Sequence, residues 1–86
     1  MLSYMPNTAV LLIDCPDRKG IVAAVANFLL QHYDAAILNA GQHQDAQLNL
    51  FFMRVEFSTE NPACTEIRFR ALFSPIADEL KMHWRL

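Results

Sequence analysis

The stretch Asp14 to Ile21 reads Asp-Cys-Pro-Asp-Arg-Lys-Gly-Ile and brings a thiol, two carboxylates and two cations together ahead of a glycine. Apolar β-formers precede it and a helical apolar spacing follows it. Gly20 therefore stands where a strand hands over to a helix N-terminus, and a glycine there lets backbone approach a ligand closely. Free amides at such a terminus, with the positive end of the helix dipole, attract a carboxylate or another anion. Arg18 and Lys19 add positive charge, and Asp17 can receive an ammonium. Together they suit a zwitterion such as an amino acid. The plainer account is that Pro16, Asp17 and Gly20 only make and cap a turn. Asn39 is the second candidate: its amide can hold a ligand across an interface between chains, or simply be solvated at a sheet edge.

Other reactive side chains do not assemble into a catalytic set. His32, His43 and His83 have no metal-ligand spacing and fall on three different elements, with His32 packed at the rim of the core. Cys15 would be a nucleophile if its pKa were lowered at the helix start, but no histidine partner can be assigned, so it reads as a buried structural thiol. No serine sits in a nucleophile elbow, and Glu56 with Glu60 is an ordinary solvated pair. An enzyme of the acylphosphatase kind would use Arg18 to cradle phosphate and Asn39 to position water, but its glycine- and valine-rich loop is missing.

The elements that must position these residues follow from breakers and periodicity. Thr8 to Asp14 is a continuous run of β-formers, as in a central strand covered on both sides or nearly so. From Ile21 to His32 the spacing is helical, with Ile21, Val25, Phe28, Leu29 and His32 on one face, Asp17 or a backbone turn capping the start, and Tyr33-Asp34 ending it. Ala35 to Gln44 reads as a strand in which Asn39 and Gly41 follow the side of Ile37. Gln44 to Gln47 is a hairpin turn. Leu48 to Ser58 alternates, with Phe51, Met53, Val55 and Phe57 on one face and Arg54, Glu56 and Ser58 on the other. Leu50 and Phe52 break the polar pattern of that second face, which points to contact with something. A second helix opens at Ala63 or Thr65 with Phe69, Leu72, Phe73, Ile76 and Leu80 as its apolar set, and Pro75 is expected to kink or interrupt it, Ser74 capping a restarted turn. Met82 to Leu86 alternates again. The order β-α-β-β-α-β predicts an α+β, ferredoxin-like sandwich: a four-stranded antiparallel sheet with two helices on one face.

Size and composition narrow the function. Eighty-six residues allow one core, and a chain this short buries only roughly 60–65% of the surface its unfolded form exposes. The apolar fraction of 53% exceeds the usual share of about 45–50%, enough both to fill that core and to leave surface for a partner. A net charge of −2, with basic residues scattered, lacks the stripe that nucleic-acid binding requires. The aromatic strand around Phe51 and Phe52 also lacks the basic-glycine opening of an RNA-recognition strand. Ile21 to Leu30 is about half a bilayer span, and Met1 to Asn7 lacks the basic start of a signal peptide. Cys15 and Cys64, without a CxxC, fit free thiols in a reducing cytoplasm.

The run LLIDCPDRKGIVAAVANFL resembles the opening strand, loop and helix of ACT domains, where D-R-x-G-I/V follows the first strand. The likeness continues through ILNAGQHQD, LFFMRVEF and FSPIADELKMHWRL, and the last two segments narrow it to the N-terminal ACT domain of the formyltetrahydrofolate deformylase family. Ala35-Ala36 departs from that family's glycine-containing turn. The resemblance implies a single regulatory domain over residues 1–86, a fragment of a longer cytoplasmic enzyme. Its C-terminal formyltransferase-like domain would hydrolyse 10-formyltetrahydrofolate to tetrahydrofolate and formate for purine synthesis. It implies no catalytic residue, metal or cofactor in this domain, an amino-acid effector with glycine and methionine as candidates, and a homodimer or higher homo-oligomer. Its ligand residues would be Asp17, Arg18, Lys19, Gly20 and Ile21, facing Asn39 of a neighbouring chain. A stand-alone regulator of the glycine-cleavage-repressor type and a purely oligomerising module are the alternatives.

Overall fold

The computed structural model describes residues 7–62 and 64–86. Ala63, one of the two expected openings of the second helix, and the N-terminal stretch up to Pro6 lie outside them. The elements run β1 (Asn7–Pro16), α1 (Ile21–Tyr33), β2 (Ala36–Asp45), β3 (Leu50–Thr59), α2 (Glu66–Leu80) and β4 (His83–Arg85). All strand pairs are antiparallel, in the order β2-β3-β1-β4. This is the expected βαββαβ sandwich. Among the described residues no helix is long and apolar enough to cross a membrane.

Alternation along the two inner strands builds the core. Leu11, Ile13 and Cys15 of β1 and Phe51, Met53, Val55 and Phe57 of β3 are buried on one face. Both helices cover that face, and Phe69 of α2 sits at its centre. Its ring lies 5.3 Å from Phe28, 5.7 Å from Tyr33 and 5.4 Å from Phe73. Trp84 of β4 closes the layer 4.9 Å from Phe73, and the Arg70 guanidinium lies 4.9 Å over the indole. Burying aromatic rings edge-to-face or offset in this way adds to the area they remove from water.

Helix α1 buries Ile21, Val25, Phe28, Leu29 and Tyr33. Tyr33, not His32, completes the apolar face, because helical spacing from Leu29 reaches i+4 there. His32 is exposed, although its ring still lies 4.8 Å from Phe28. The helix ends where Asp34 turns left-handed (φ 47°), with the Asp34 and Ala35 amides donating to the Leu30 and Leu29 carbonyls. That closure uses an aspartate where a glycine is the commoner choice, so the Ala35-Ala36 step needs no glycine of its own. The Thr59 hydroxyl then donates to the Tyr33 carbonyl at 2.7 Å, tying this end of α1 to β3.

Pro75 does not interrupt α2, which runs unbroken from Glu66 to Leu80. The proline and Ala71, whose carbonyl its ring crowds, are both on the solvent side. The face carrying Phe69, Phe73, Ala77 and Leu80 remains buried throughout. Ala77 takes the inward place expected of Leu72, which is exposed. Ser74 makes no new cap: its hydroxyl donates to the Arg70 carbonyl at 2.6 Å. Thr65 is the N-cap, its hydroxyl accepting from the Arg68 amide at 3.3 Å.

The hairpin turn also differs from expectation. Strand β2 continues to Asp45 and β3 starts at Leu50, so the turn is residues 46–49. Asn49 supplies the left-handed residue (φ 54°), and Asp45 accepts from the Gln47 and Leu48 amides at 3.0 and 3.1 Å. A side chain that mimics a backbone turn in this way replaces the missing Asn-Gly.

Candidate functional site

The loop from β1 to α1 is anchored at one end and open at the other. The Asp17 amide donates to the Asn49 carbonyl at 2.9 Å, and Gln44 Nε2 donates to Asp17 Oδ2 at 3.0 Å. Asp17 therefore ties the loop to the hairpin and does not cap α1. Gly20 is the N-cap with φ 90° and ψ 0°, and among the described residues no side chain caps the helix start. The Gly20 carbonyl accepts from the Ala24 amide, so the amides of Ile21, Val22 and Ala23 have no partner within the helix. The first turn holds no acidic residue to offset the dipole. Arg18, Lys19 and Gly20 are exposed, while Ile21 is buried and fixes the corner to the core.

Asn39 is not part of this corner within one chain. It pairs with Glu56, six residues before Asp45 along β2, about 20 Å away at strand rise. A bulge between Ile37 and Asn39 also changes the side on which it lies. Ile37 pairs with inward-facing Phe57, whereas Asn39 and Gly41 pair with Glu56 and Arg54 on the helix-free face. The expectation that Asn39 and Gly41 follow Ile37 fails, because the extra residue shifts the alternation by one.

Cys15, beside the loop, is 2% exposed. Burial pushes its thiol above the ordinary 9.0, and the Asp14 and Asp17 carboxylates push it further, against a smaller pull from Arg18. Such a thiol is held protonated, the opposite of an activated nucleophile. Both cysteines are free, and Cys64 lies on the loop before α2.

The feature that residue-type reasoning passed over is the helix-free face of the sheet. There a groove of about 610 Å³ is lined by residues of all four strands, including Leu12, Asp14, His43, Phe52, Arg54 and His83. Its signal in the sequence was the pair of apolar residues, Leu50 and Phe52, on the polar side of β3.

The sheet order, with two helices packed on one face, defines a ferredoxin-like βαββαβ domain. The fold is that of an ACT domain protein from Streptococcus pneumoniae, with a TM-score of 0.76 over 91% of this chain and 84% of that one, at 19% identity. No protein-family model matches the sequence. More specific kinship comes from a formyltetrahydrofolate deformylase of Synechocystis sp., 37% identical over 79 residues. The match takes in 92% of this chain and 28% of that protein. The crystal structure of a formyltetrahydrofolate deformylase from Pseudomonas syringae superimposes with a TM-score of 0.83 at 43% identity, over 95% of this chain and 27% of that one. The chain has the fold of an ACT domain and is similar in sequence to the N-terminal region of formyltetrahydrofolate deformylases, spanning little more than a quarter of the length of these relatives.

Proposed function

We propose that this domain binds a small amino acid, as the cytoplasmic regulatory and dimerising part of a longer deformylase-type polypeptide. The observation that carries this reading is the uncapped start of α1. Three amides without a partner in the helix, a left-handed Gly20 and the adjoining exposed Arg18 and Lys19 make a seat for a carboxylate. Asp17, although engaged by Gln44, offers a second carboxylate oxygen to an ammonium. Glycine and methionine are the effectors to test.

Assembly follows from the edge strand. Among the described residues the outer edge of β2 has no neighbour in the sheet, and Ile37 and Leu38 on it are 45% and 54% exposed. Helix α1 has no charged residue from Ile21 to Tyr33 and leaves Val22 and Leu30 exposed. An unpaired edge beside an apolar helix flank invites a second copy. Pairing two β2 strands antiparallel about Gln42 sets Asn39 of one chain level with Asp45 of the other, beside the Asp17–Gln44 bond. Asn39 then belongs to the ligand site of its neighbour. In the longer polypeptide a C-terminal formyltransferase-like part hydrolyses 10-formyltetrahydrofolate to tetrahydrofolate and formate, and this domain contributes control rather than chemistry.

Titrating the chain with glycine, methionine and serine while recording melting temperature tests the reading. A ligand at 100 times its Kd adds about 2.7 kcal/mol to stability. The gain should shrink in Gly20→Ala and Asn39→Ala. If no amino acid at millimolar concentration moves the melt, the corner is a turn only. The same apolar flank then favours the second reading, a module that oligomerises without binding.

A further inference from the structure

Register sets out the helix-free face of the sheet in rows. His43, Phe52, Asp14 and His83 run across the four strands in one row, and Gly41, Arg54, Leu12 and Arg85 in the next. Phe52 is 39% exposed on this face. Its ring lies 6.1 Å from His43 at an angle of 31°, so the two form one tilted aromatic platform. Beside the platform, Gly41 contributes no side chain and leaves the groove open, and half-buried Leu12 extends the apolar floor.

The charges around that floor are unevenly satisfied. Asp14 Oδ2 lies 3.4 Å from His83 Nδ1. Arg54 and Arg85 flank Leu12 from the strands on either side, with backbones about 9.6 Å apart at ordinary strand spacing. Among the described residues neither guanidinium has a carboxylate within ion-pair distance, Glu56 two positions along β3 included. Two unpaired guanidiniums beside an aromatic platform recognise a flat ring with an anionic substituent: the ring stacks, and the guanidiniums donate to the anion in plane. The groove, about 610 Å³, falls in the usual range of roughly 300–1,000 Å³ for small-molecule sites. A nucleic-acid strand would need a line of cations, and two do not make one.

We propose that this face is a second site, separate from the loop at Gly20, for a planar aromatic or heteroaromatic small molecule carrying one anionic group. The ring lies on Phe52 and His43, over Leu12, and the anion is held by Arg54 and Arg85.

The test is a titration of the isotopically labelled chain with 2-naphthoate and with its neutral analogue 2-naphthamide, followed by amide chemical shifts. Saturable shifts should fall on Leu12, Asp14, Gly41, His43, Phe52, Arg54 and Arg85, and not on Gly20 to Ala23. Each of Arg54→Gln and Arg85→Gln should weaken naphthoate about tenfold, as expected for losing one charge-assisted contact, and leave naphthamide unchanged. Phe52→Leu, which keeps an apolar floor without the ring, should weaken both. Equal affinity for the two probes, shifts spread over α1 and α2, or no saturable shift would overturn the proposal. So would concentration-dependent broadening of these same amides without probe, which marks a second copy on the face.

Discussion

Replacing Tyr33 by phenylalanine should stabilise this domain. Tyr33 is 2% exposed, its ring stacked 5.7 Å from Phe69 and edge-on 6.0 Å from Phe28. Its hydroxyl is buried without a hydrogen-bond partner among the described residues. The ring contacts survive the substitution, so the main change is relief of a desolvated polar group. Such a group costs about 1–3 kcal/mol. Recovering the lower end, about 1 kcal/mol, corresponds to a rise in Tm of about 4–8 °C for a domain of this size. The alkaline limb supplies a second signature. Burial raises the Tyr33 phenol above its usual 10.0, the Cys64 thiol adds to the shift, and Arg68 opposes it. A group whose pKa is raised by folding contributes stability that is intact below the unfolded pKa and lost as pH climbs through the folded one. The parent chain should therefore lose stability above about pH 10 through Tyr33, and the phenylalanine variant should lose less there. Urea unfolding followed by Trp84 fluorescence, at pH 7 and from pH 8 to 11, measures both effects. A variant less stable than the parent by more than about 0.5 kcal/mol at pH 7, or alkaline limbs that superimpose, would refute the reasoning.

The Cys15 and Cys64 thiols are also raised above 9.0, chiefly by burial. By the same sign they should start an earlier decline near pH 9, and Cys15→Ala should flatten it in the same unfolding series. Gly20→Ala should cost about 1 kcal/mol by urea denaturation: a β-carbon there meets nothing within 4 Å, but φ of +90° is unfavourable for alanine. Thr65→Ala should cost about 1 kcal/mol through loss of the α2 cap, visible in thermal melts. Lys81→Gly, at the left-handed residue that closes α2 (φ 56°), should add about 0.5–1 kcal/mol by the same measurement. Leu38→Lys, on the exposed edge, should reduce self-association in sedimentation and change the melt of the isolated chain by less than about 0.5 kcal/mol.

Element order was legible because each segment has one dominant period, and the alternation of Phe51, Met53, Val55 and Phe57 named the inward face of β3 correctly. Local punctuation was harder to read. Pro75 signals a break in any sequence, yet it costs less on the solvent side of a helix whose opposite face buries two phenylalanines. Asp34, Asn49 and Lys81 all take left-handed turns; asparagine and aspartate enter that region more readily than other side chains, but both also occur widely elsewhere, and nothing in a lysine marks Lys81. Of the candidate site, Asp17 to Ile21 stood out because five consecutive residues lie at a strand-to-helix junction. The separation of Asn39 from them rests on register and on the bulge, which are long-range properties. The groove depends on which residues of four strands become neighbours, so only its faintest trace, Phe52 out of phase, was visible in one dimension.

That bulge gives β2 a margin for change in length. One residue near Leu38 is surplus to the ladder, so losing a single residue there can be absorbed by drawing the strand straight, with pairing from Ala40 to Asp45 untouched. The same loss beyond Gly41 would have no slack to take up and would invert every side chain between it and the hairpin. Shortening is therefore tolerated at one end of this strand and forbidden at the other.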